Sequence, residues 1–200
     1  MTSSHSPLAK LAGAALMLAA GPLVSAPLAA QSSGVFVEQI GTGNTGEADQ
    51  SNNTQTTVLN QDGNGNFADI DQQDAGAHSA RIDQTGDDND AVVLQTGNGT
   101  AGLTLSQDGT QNVAIIGQAD NGGVGSLAEI VQSGNSNNVS LLQDGTDNQA
   151  NLTQIGDDNA MTAIQTGNGN RLDWTQNGTG LTDLGITQTG GAITIVTQSN

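Results

Sequence analysis

Glutamine returns along this chain at a nearly constant interval. It stands at Gln39, Gln50, Gln61, Gln72, Gln84, Gln95, Gln107, Gln118, Gln132, Gln143, Gln154, Gln165, Gln176, Gln188 and Gln198. Nine of the fourteen intervals are 11 residues; three are 12, one is 10 and one is 14. A short fixed period of this kind belongs to stacked units and not to a globular core around a pocket.

The seven residues that end at each glutamine, numbered 0 to 6, share a pattern. Position 0 is filled by Asn44, Asn66, Asn89, Asn112, Asn137, Asn148, Asn159 and Asn170, by Ser33 and Ser126, and by the variants Gln55, His78, Ala101, Thr182 and Ala192. Positions 2 and 4 are mostly small or aliphatic: Val35/Val37, Ala68/Ile70, Ala91/Val93, Val139/Leu141 and Leu184/Ile186 are examples. Side chains alternate across a strand, so positions 0, 2, 4 and 6 share one face. Each unit therefore reads as a seven-residue strand with an amide at each end and two apolar residues between. The intervening residues are often polar, as at Asp69, Asp71, Arg81, Asp83, Thr104 and Ser106, and are expected to face water. Val113, Ile115, Ile193 and Ile195 also fall there, either as lateral contacts or as isolated surface apolar residues.

Two residues after the glutamine stands a glycine, at Gly41, Gly63, Gly86, Gly97, Gly109, Gly134, Gly145, Gly156, Gly167, Gly178 and Gly190. Asn52, Asp74 and Asp120 take the remaining places. All of these types tolerate a positive φ, which predicts a tight turn after every strand. Glycine and asparagine at this density exclude helix. The expected fold is all-β: a two-sheet β-solenoid of 15 short strands, about 22 residues per coil, with alternate strands stacking in each sheet at roughly 4.8 Å. In such a stack each buried Asn or Gln can donate to one neighbour and accept from the other, so a polar interior costs little. Ser33, the position-0 asparagines, Ser126 and the fifteen glutamines are the expected polar ladder. A slip of one residue would put Gln outside and Asp71 inside, so the ladder also sets register.

Residues 1–30 carry Lys10, an apolar stretch and a small-residue end at Leu28-Ala29-Ala30, the pattern of a secretory signal. The repeat domain is then 31–200. All 20 acidic residues lie beyond Gln31, against Arg81 and Arg171 alone, a net charge of −18. Such a field repels nucleic acid and anionic membranes. With no cysteine in the chain, an exported protein must be held by something other than disulfides, and a backbone ladder would serve. Only Phe36, Phe67 and Trp174 are aromatic, too few for a conventional core.

No nucleophile–base–carboxylate set is present, and His5 and His78 are the only histidines. An enzyme is not expected, nor a catalytic residue, a cofactor, a metal site or a small-molecule substrate. His78 reads as a ladder residue in place of Asn. Asp87-Asp88 and Asp157-Asp158 in turns, with Asp62, Asp108 and Asp144 before turn glycines, have two readings: stacked like charges that slow assembly, or solubility of an exposed turn. Calcium-binding nonapeptide repeats are absent. An ice-binding solenoid would need an aligned array of outward threonines, and Thr104, Thr175 and Thr187 are not expected to align.

The pattern Ser/Asn-x5-Gln-x-Gly-x2-Asn-x5-Gln, clear from Ser126 to Gln143 and from Asn148 to Gln165, closely resembles the curlin repeat of curli subunits. The resemblance covers nearly all of 33–198. It implies a secreted amyloid subunit that polymerises with itself into extracellular fibres for biofilm matrix and adhesion. It also implies a nucleating curlin-like subunit and an outer-membrane export pore as partners. Fifteen units exceed the family's familiar five repeats, and the Gly-rich segment that usually precedes them is not seen between Gln31 and Ser33. The alternative function is a soluble extracellular binding solenoid of ice-binding or adhesin type.

Overall fold

Backbone pairing between coils, and not local propensity, holds this chain in strands. The computed structural model describes residues 34–200; the signal segment expected over 1–30, and Ser33, lie outside them. Eight strands form one sheet, in the order β1 (Gly34–Ile40), β3 (Thr56–Asp62), β5 (Ser79–Asp87), β7 (Ala101–Thr110), β9 (Ser126–Asn135), β11 (Gln149–Ile155), β13 (Arg171–Asn177) and β15 (Ile193–Ser199). Seven form the other: β2 (Thr45–Gln50), β4 (Phe67–Gln72), β6 (Asp90–Thr96), β8 (Val113–Ala119), β10 (Asn138–Asp144), β12 (Ala160–Thr166) and β14 (Ile186–Thr189). Odd strands lie in one sheet and even strands in the other, as the 11-residue period predicts. The fold is a two-sheet, all-β solenoid with no helix among the described residues.

Every pair of neighbouring strands is parallel and sets glutamine against glutamine. Ladder partners lie 22, 23 or 25 residues apart, so intervals of 12 and 14 are absorbed in the turns and never shift the strands. Between the sheets lies a thin core of Ala, Val, Leu and Ile from positions 2 and 4, closed near one end by the fully buried Trp174. Burying one such Leu or Ile contributes about 1.5–3 kcal/mol.

The two ends depart from the expected pattern. Val35 and Val37 point inward from β1 yet remain 41% and 50% exposed, because only β2 covers their inner face. Leu184, expected inside, is exposed, and β14 is shortened to four residues. The cause is Asp183: its Oδ1 accepts from the Thr162 N–H at 2.9 Å and from Gly185 N–H at 2.9 Å. The side chain thereby takes the Thr162 donor that an extended backbone would have paired, a local competition open to Asp and Asn.

The turns impose a second constraint. All eleven turn glycines adopt a positive φ, as does Asp74 at 65°. Asn52 and Asp120 do not, which corrects the expectation of one conformation at all fourteen sites. At Asp120 the long 118–132 interval is held differently: the carboxylate accepts from Gly122 N and Ser126 N, and Gly122 and Gly123 supply the positive φ. The regular turns contain a further left-handed residue two positions on, at Gly43, Gly65, Asp88, Gln111, Ser136, Asp147, Asp158, Gly169 and Gly180. At most of the first places, though not at Gly167 or Gly190, glycine is needed for space as well as for φ. A Cβ at Gly134 would overlap the carbonyl oxygen of Gly156, and one at Gly156 that of Gly178.

Gly156→Ala should therefore lower the unfolding free energy by more than about 2 kcal/mol, the sum of left-handed strain and that overlap. Gln111→Gly should raise it by about 1 kcal/mol, because Gln111 holds φ 57° with no side-chain bond to lose. Urea unfolding followed by circular dichroism measures both.

Candidate functional site

The side chains most constrained by the fold are the amides. In the eight-stranded sheet each glutamine Nε2 donates to the Oε1 of the next coil, from Gln39 through Gln61, Gln84, Gln107, Gln132, Gln154 and Gln176 to Gln198, at 2.6–3.0 Å. In the seven-stranded sheet the same bond runs from Gln50 through Gln72, Gln95, Gln118, Gln143 and Gln165 to Gln188, at 2.7–2.9 Å. Both runs are unbroken and point the same way along the coil.

The second Nε2 proton does something the sequence did not reveal. It crosses to a backbone carbonyl of the facing strand: Gln84 to Phe67, Gln132 to Val113, Gln143 to Leu127, Gln154 to Asn138. From Gln61 to Gln176 each ladder glutamine thus joins its strand to the next coil of its own sheet and to the opposite sheet. The requirement that a buried amide spend both protons could have foretold this.

Asparagines at position 0 form a ladder of opposite polarity. Asn44 Oδ1 accepts both the backbone N–H and the Nδ2 of Asn66; the motif repeats through Asn89, Asn112, Asn137 and Asn159. Nδ2 also donates forward to a turn carbonyl, as from Asn112 to Gly134 and from Asn137 to Gly156. The glutamine side chain gives to the next coil; the asparagine oxygen receives from it. This continuous asparagine ladder belongs to the seven-stranded sheet alone. On the other sheet only Asn148 and Asn170 pair, with Ser126 Oγ accepting from the Asn148 N–H. Gln55, His78 and Ala101 interrupt that side.

His78 is buried in the ladder position. Its Nδ1 accepts from the Ala101 N–H at 3.2 Å and its Nε2 lies 3.1 Å from the Gln73 carbonyl, so the neutral Nε2–H tautomer satisfies both. Burial pushes its pKa down; backbone hydrogen bonds at Gln73 and Gly97 and the Asp120 and Asp74 carboxylates oppose this without reversing it. Asp90 is the other perturbed group. Burial, between Phe67 and Val113 in the register of the seven-stranded sheet, raises its pKa, and its Oδ1 has no hydrogen-bond partner among the described residues.

Thr104, Thr175 and Thr187 stand in different columns, as expected: Thr104 lies between Arg81 and Glu129, and Thr187 beside Ile164 in the other sheet. Thr153, Thr175 and Thr197 nevertheless align on successive strands of the eight-stranded sheet, in one column continued by Val131 and Ser106. The acidic turns do not stack like on like. Asp87 Oδ1 accepts from Asn64 N–H and Nδ2, and Asp157 Oδ1 accepts from Asn135 in the same way. Their column runs Thr42, Asn64, Asp87, Thr110, Asn135, Asp157, which places the carboxylates three coils apart. No group of His, Asp or Glu among the described residues has metal-binding geometry.

Gln132→Ala removes an acceptor from Gln107 and a donor from Gln154, both buried, and should cost about 2–4 kcal/mol in urea unfolding. Gln154→Ala should cost the same. For His78 the folded pKa lies below the ordinary 6.5, so its contribution is complete above that pH and is lost as pH falls below it. The unfolding midpoint should fall between pH 7 and pH 5 by more in the native chain than in His78→Asn, where an amide takes the ladder place.

Comparison with known proteins adds a family to this geometry. A family model described as the curlin associated repeat matches residues 77–100 and 123–156. The first segment holds the end of the turn before β5, β5, β6 and the turn that follows; the second holds β9, β10 and β11. No curated protein and no solved structure matches the chain. Two segments of the chain thus match the curlin associated repeat, within a β-solenoid whose strands, turns and amides keep one order from coil to coil.

Proposed function

We propose that this chain is the secreted structural subunit of a curli-like amyloid fibre, polymerising end to end and serving as biofilm matrix and adhesive surface. The observation that carries the reading is the pair of open ends. β1 and β2 at one end and β14 and β15 at the other each have a partner on one edge only among the described residues. Natural monomers blunt such edges with charge, proline or a covering element. Here β15 ends its sheet as Ile-Thr-Ile-Val-Thr-Gln-Ser, with neither charge nor proline. In-register parallel pairing at every internal step is the geometry that a further copy would extend.

The curlin repeat is a structural and non-enzymatic unit, in keeping with a chain whose ladder amides are spent on one another and on the backbone. In this reading residues 1–30 direct export and are removed. A nucleating curlin-like subunit and an outer-membrane pore are the partners the family implies.

Fibre diffraction from the chain starting at Gln31, incubated without agitation at neutral pH, tests the reading. Reflections near 4.8 Å along the fibre and near 10 Å across it, with growth seeded by fibre fragments, are expected. A β-rich monomer that never elongates would overturn it and leave a soluble binding solenoid.

A further inference from the structure

The two ends of the solenoid do not match in the simplest way. β1 and β15 are the end strands of the same eight-stranded sheet, while β2 and β14 end the seven-stranded one. Strands alternate between sheets along the coil, so each sits about 2.4 Å, half a strand spacing, above the one before it. A second copy added in the same orientation would set its β1 on β15. Its β2 would then lie two strand spacings above β14, and a strand-wide gap would open in the thinner sheet. The facing edges of β14 and β2 would stay unpaired, and the half-exposed Val35 and Val37 would face the gap.

We propose that successive copies stack with a half-turn about the coil axis, so that the eight-stranded sheet of one continues into the seven-stranded sheet of the next. This rests on the reading of the chain as a polymerising subunit. Consecutive strands fold back through tight turns, so the two sheets run in opposite directions. A half-turn about the axis exchanges the sheets and reverses the strands together. β1 then lands parallel on β14, β2 lands parallel on β15, and no strand is missing. Val35 and Val37 meet Thr194 and Val196, the half-buried inward residues of β15.

The unspent hydrogen bonds agree in sense. Gln39 and Gln50 accept nothing at Oε1 among the described residues, and Gln198 Nε2 donates only to the Thr182 carbonyl. A half-turn brings Gln198 to Gln50, donor end to acceptor end, and Gln188 to Gln39, where the Gln188 Nε2 proton now shared between the Ala192 carbonyl and Thr194 Oγ1 would turn to Gln39 Oε1. The unrotated stack has attractions of its own: Phe36 over Ile195, both exposed, and Gln198 over Gln39 in the same donor-to-acceptor sense. These do not offset two open strand edges and two valines whose inner face stays uncovered.

The chain has no cysteine, so introduced thiols report contacts directly. Glutamine register places Glu38 beside Thr187 of the adjoining copy after a half-turn, and beside Thr197 without one. Paired strands set Cα atoms about 4.8 Å apart, within disulfide range. Fibres grown from mixed Glu38→Cys and Thr187→Cys chains should form dimers on mild oxidation at least tenfold more than fibres of Glu38→Cys and Thr197→Cys. Equal or reversed yields would overturn the half-turn and leave polymerisation standing. Electron cryomicroscopy of unsubstituted fibres reads the same question without thiols. A subunit repeat of about 36 Å with a rotation near 180° supports the inference, whereas about 38 Å without that rotation overturns it. Failure of the unsubstituted chain to form fibres would overturn the polymerisation reading, and this inference with it.

Discussion

The side-chain amide ladder is the interaction on which the rest of this structure depends, because it makes a polar interior possible only in one register. A buried amide without partners costs about 1–3 kcal/mol, and the core carries such a group at the end of nearly every strand. Displacing a strand by one residue would break its bonds above, below and across to the other sheet at once. The apolar residues between the amides are small and interchangeable, and would tolerate a slip far better. Hydrophobic burial drives the strands together, while the amides decide how they align. The glutamine ladders give the coil one direction in both sheets, and the asparagine ladder of the seven-stranded sheet runs against it.

The turns make that register possible to repeat. Strand pairing demands that every return arrive at the same height, although the intervals run from 10 to 14 residues. The chain meets this by letting the turns differ. Regular turns use two left-handed residues and stack so closely that a glycine lies under the next carbonyl. Where the interval lengthens to 14, the Asp120 carboxylate caps two backbone donors in place of that geometry. The strands stay uniform because irregularity is confined to segments with no register to keep.

What could be read from the sequence was whatever repeats. A period of 11 gave the alternation of sheets, the inward faces and the glutamine columns, since each recurs more than a dozen times. Departures at single coils were not legible. Asp183 takes a backbone donor and unravels half of β14, while Asp49 and Asp71 at other outward places leave their strands intact. Asn52 carries a residue type suited to a left-handed turn and does not use it. The second left-handed residue was hidden by its mixed identity: Gly43 and Asp88 signal it, Gln111 and Ser136 do not. The asparagine ladder looked symmetric because eight asparagines share position 0, yet six of them are successive neighbours on the seven-stranded sheet and only Asn148 and Asn170 pair on the other. Periodicity finds columns; which residues are adjacent within a column depends on a parity that only the folded coil displays.

The remaining tension is between a net charge of −17 and a fold made by stacking like on like. In a solenoid, one carboxylate per repeat would become an unbroken column of charge at roughly 4.8 Å spacing. The turns avoid this by interleaving. Asp87 and Asp157 are three coils, about 14 Å, apart, beyond the roughly 8 Å screening length of physiological salt. Thr110 and Asn135 fill the coils between, and Asn64 and Asn135 hydrogen-bond the carboxylates directly. Asp62 and Asp108 likewise alternate with Thr85. The exceptions cluster on the outer face of β2 and β4, where Glu47 opposes Asp69 and Asp49 opposes Asp71. That patch lies at the end where β2 offers its open edge, so the strongest repulsion within the coil sits beside an acceptor edge. In the proposed fibre a copy adding there would bring uncharged outward residues, Ile195 and Thr197 of β15 or Thr187 of β14, and add no carboxylate to the patch. The placement of the acidic residues would thus leave the stacking direction free of like-charge contact.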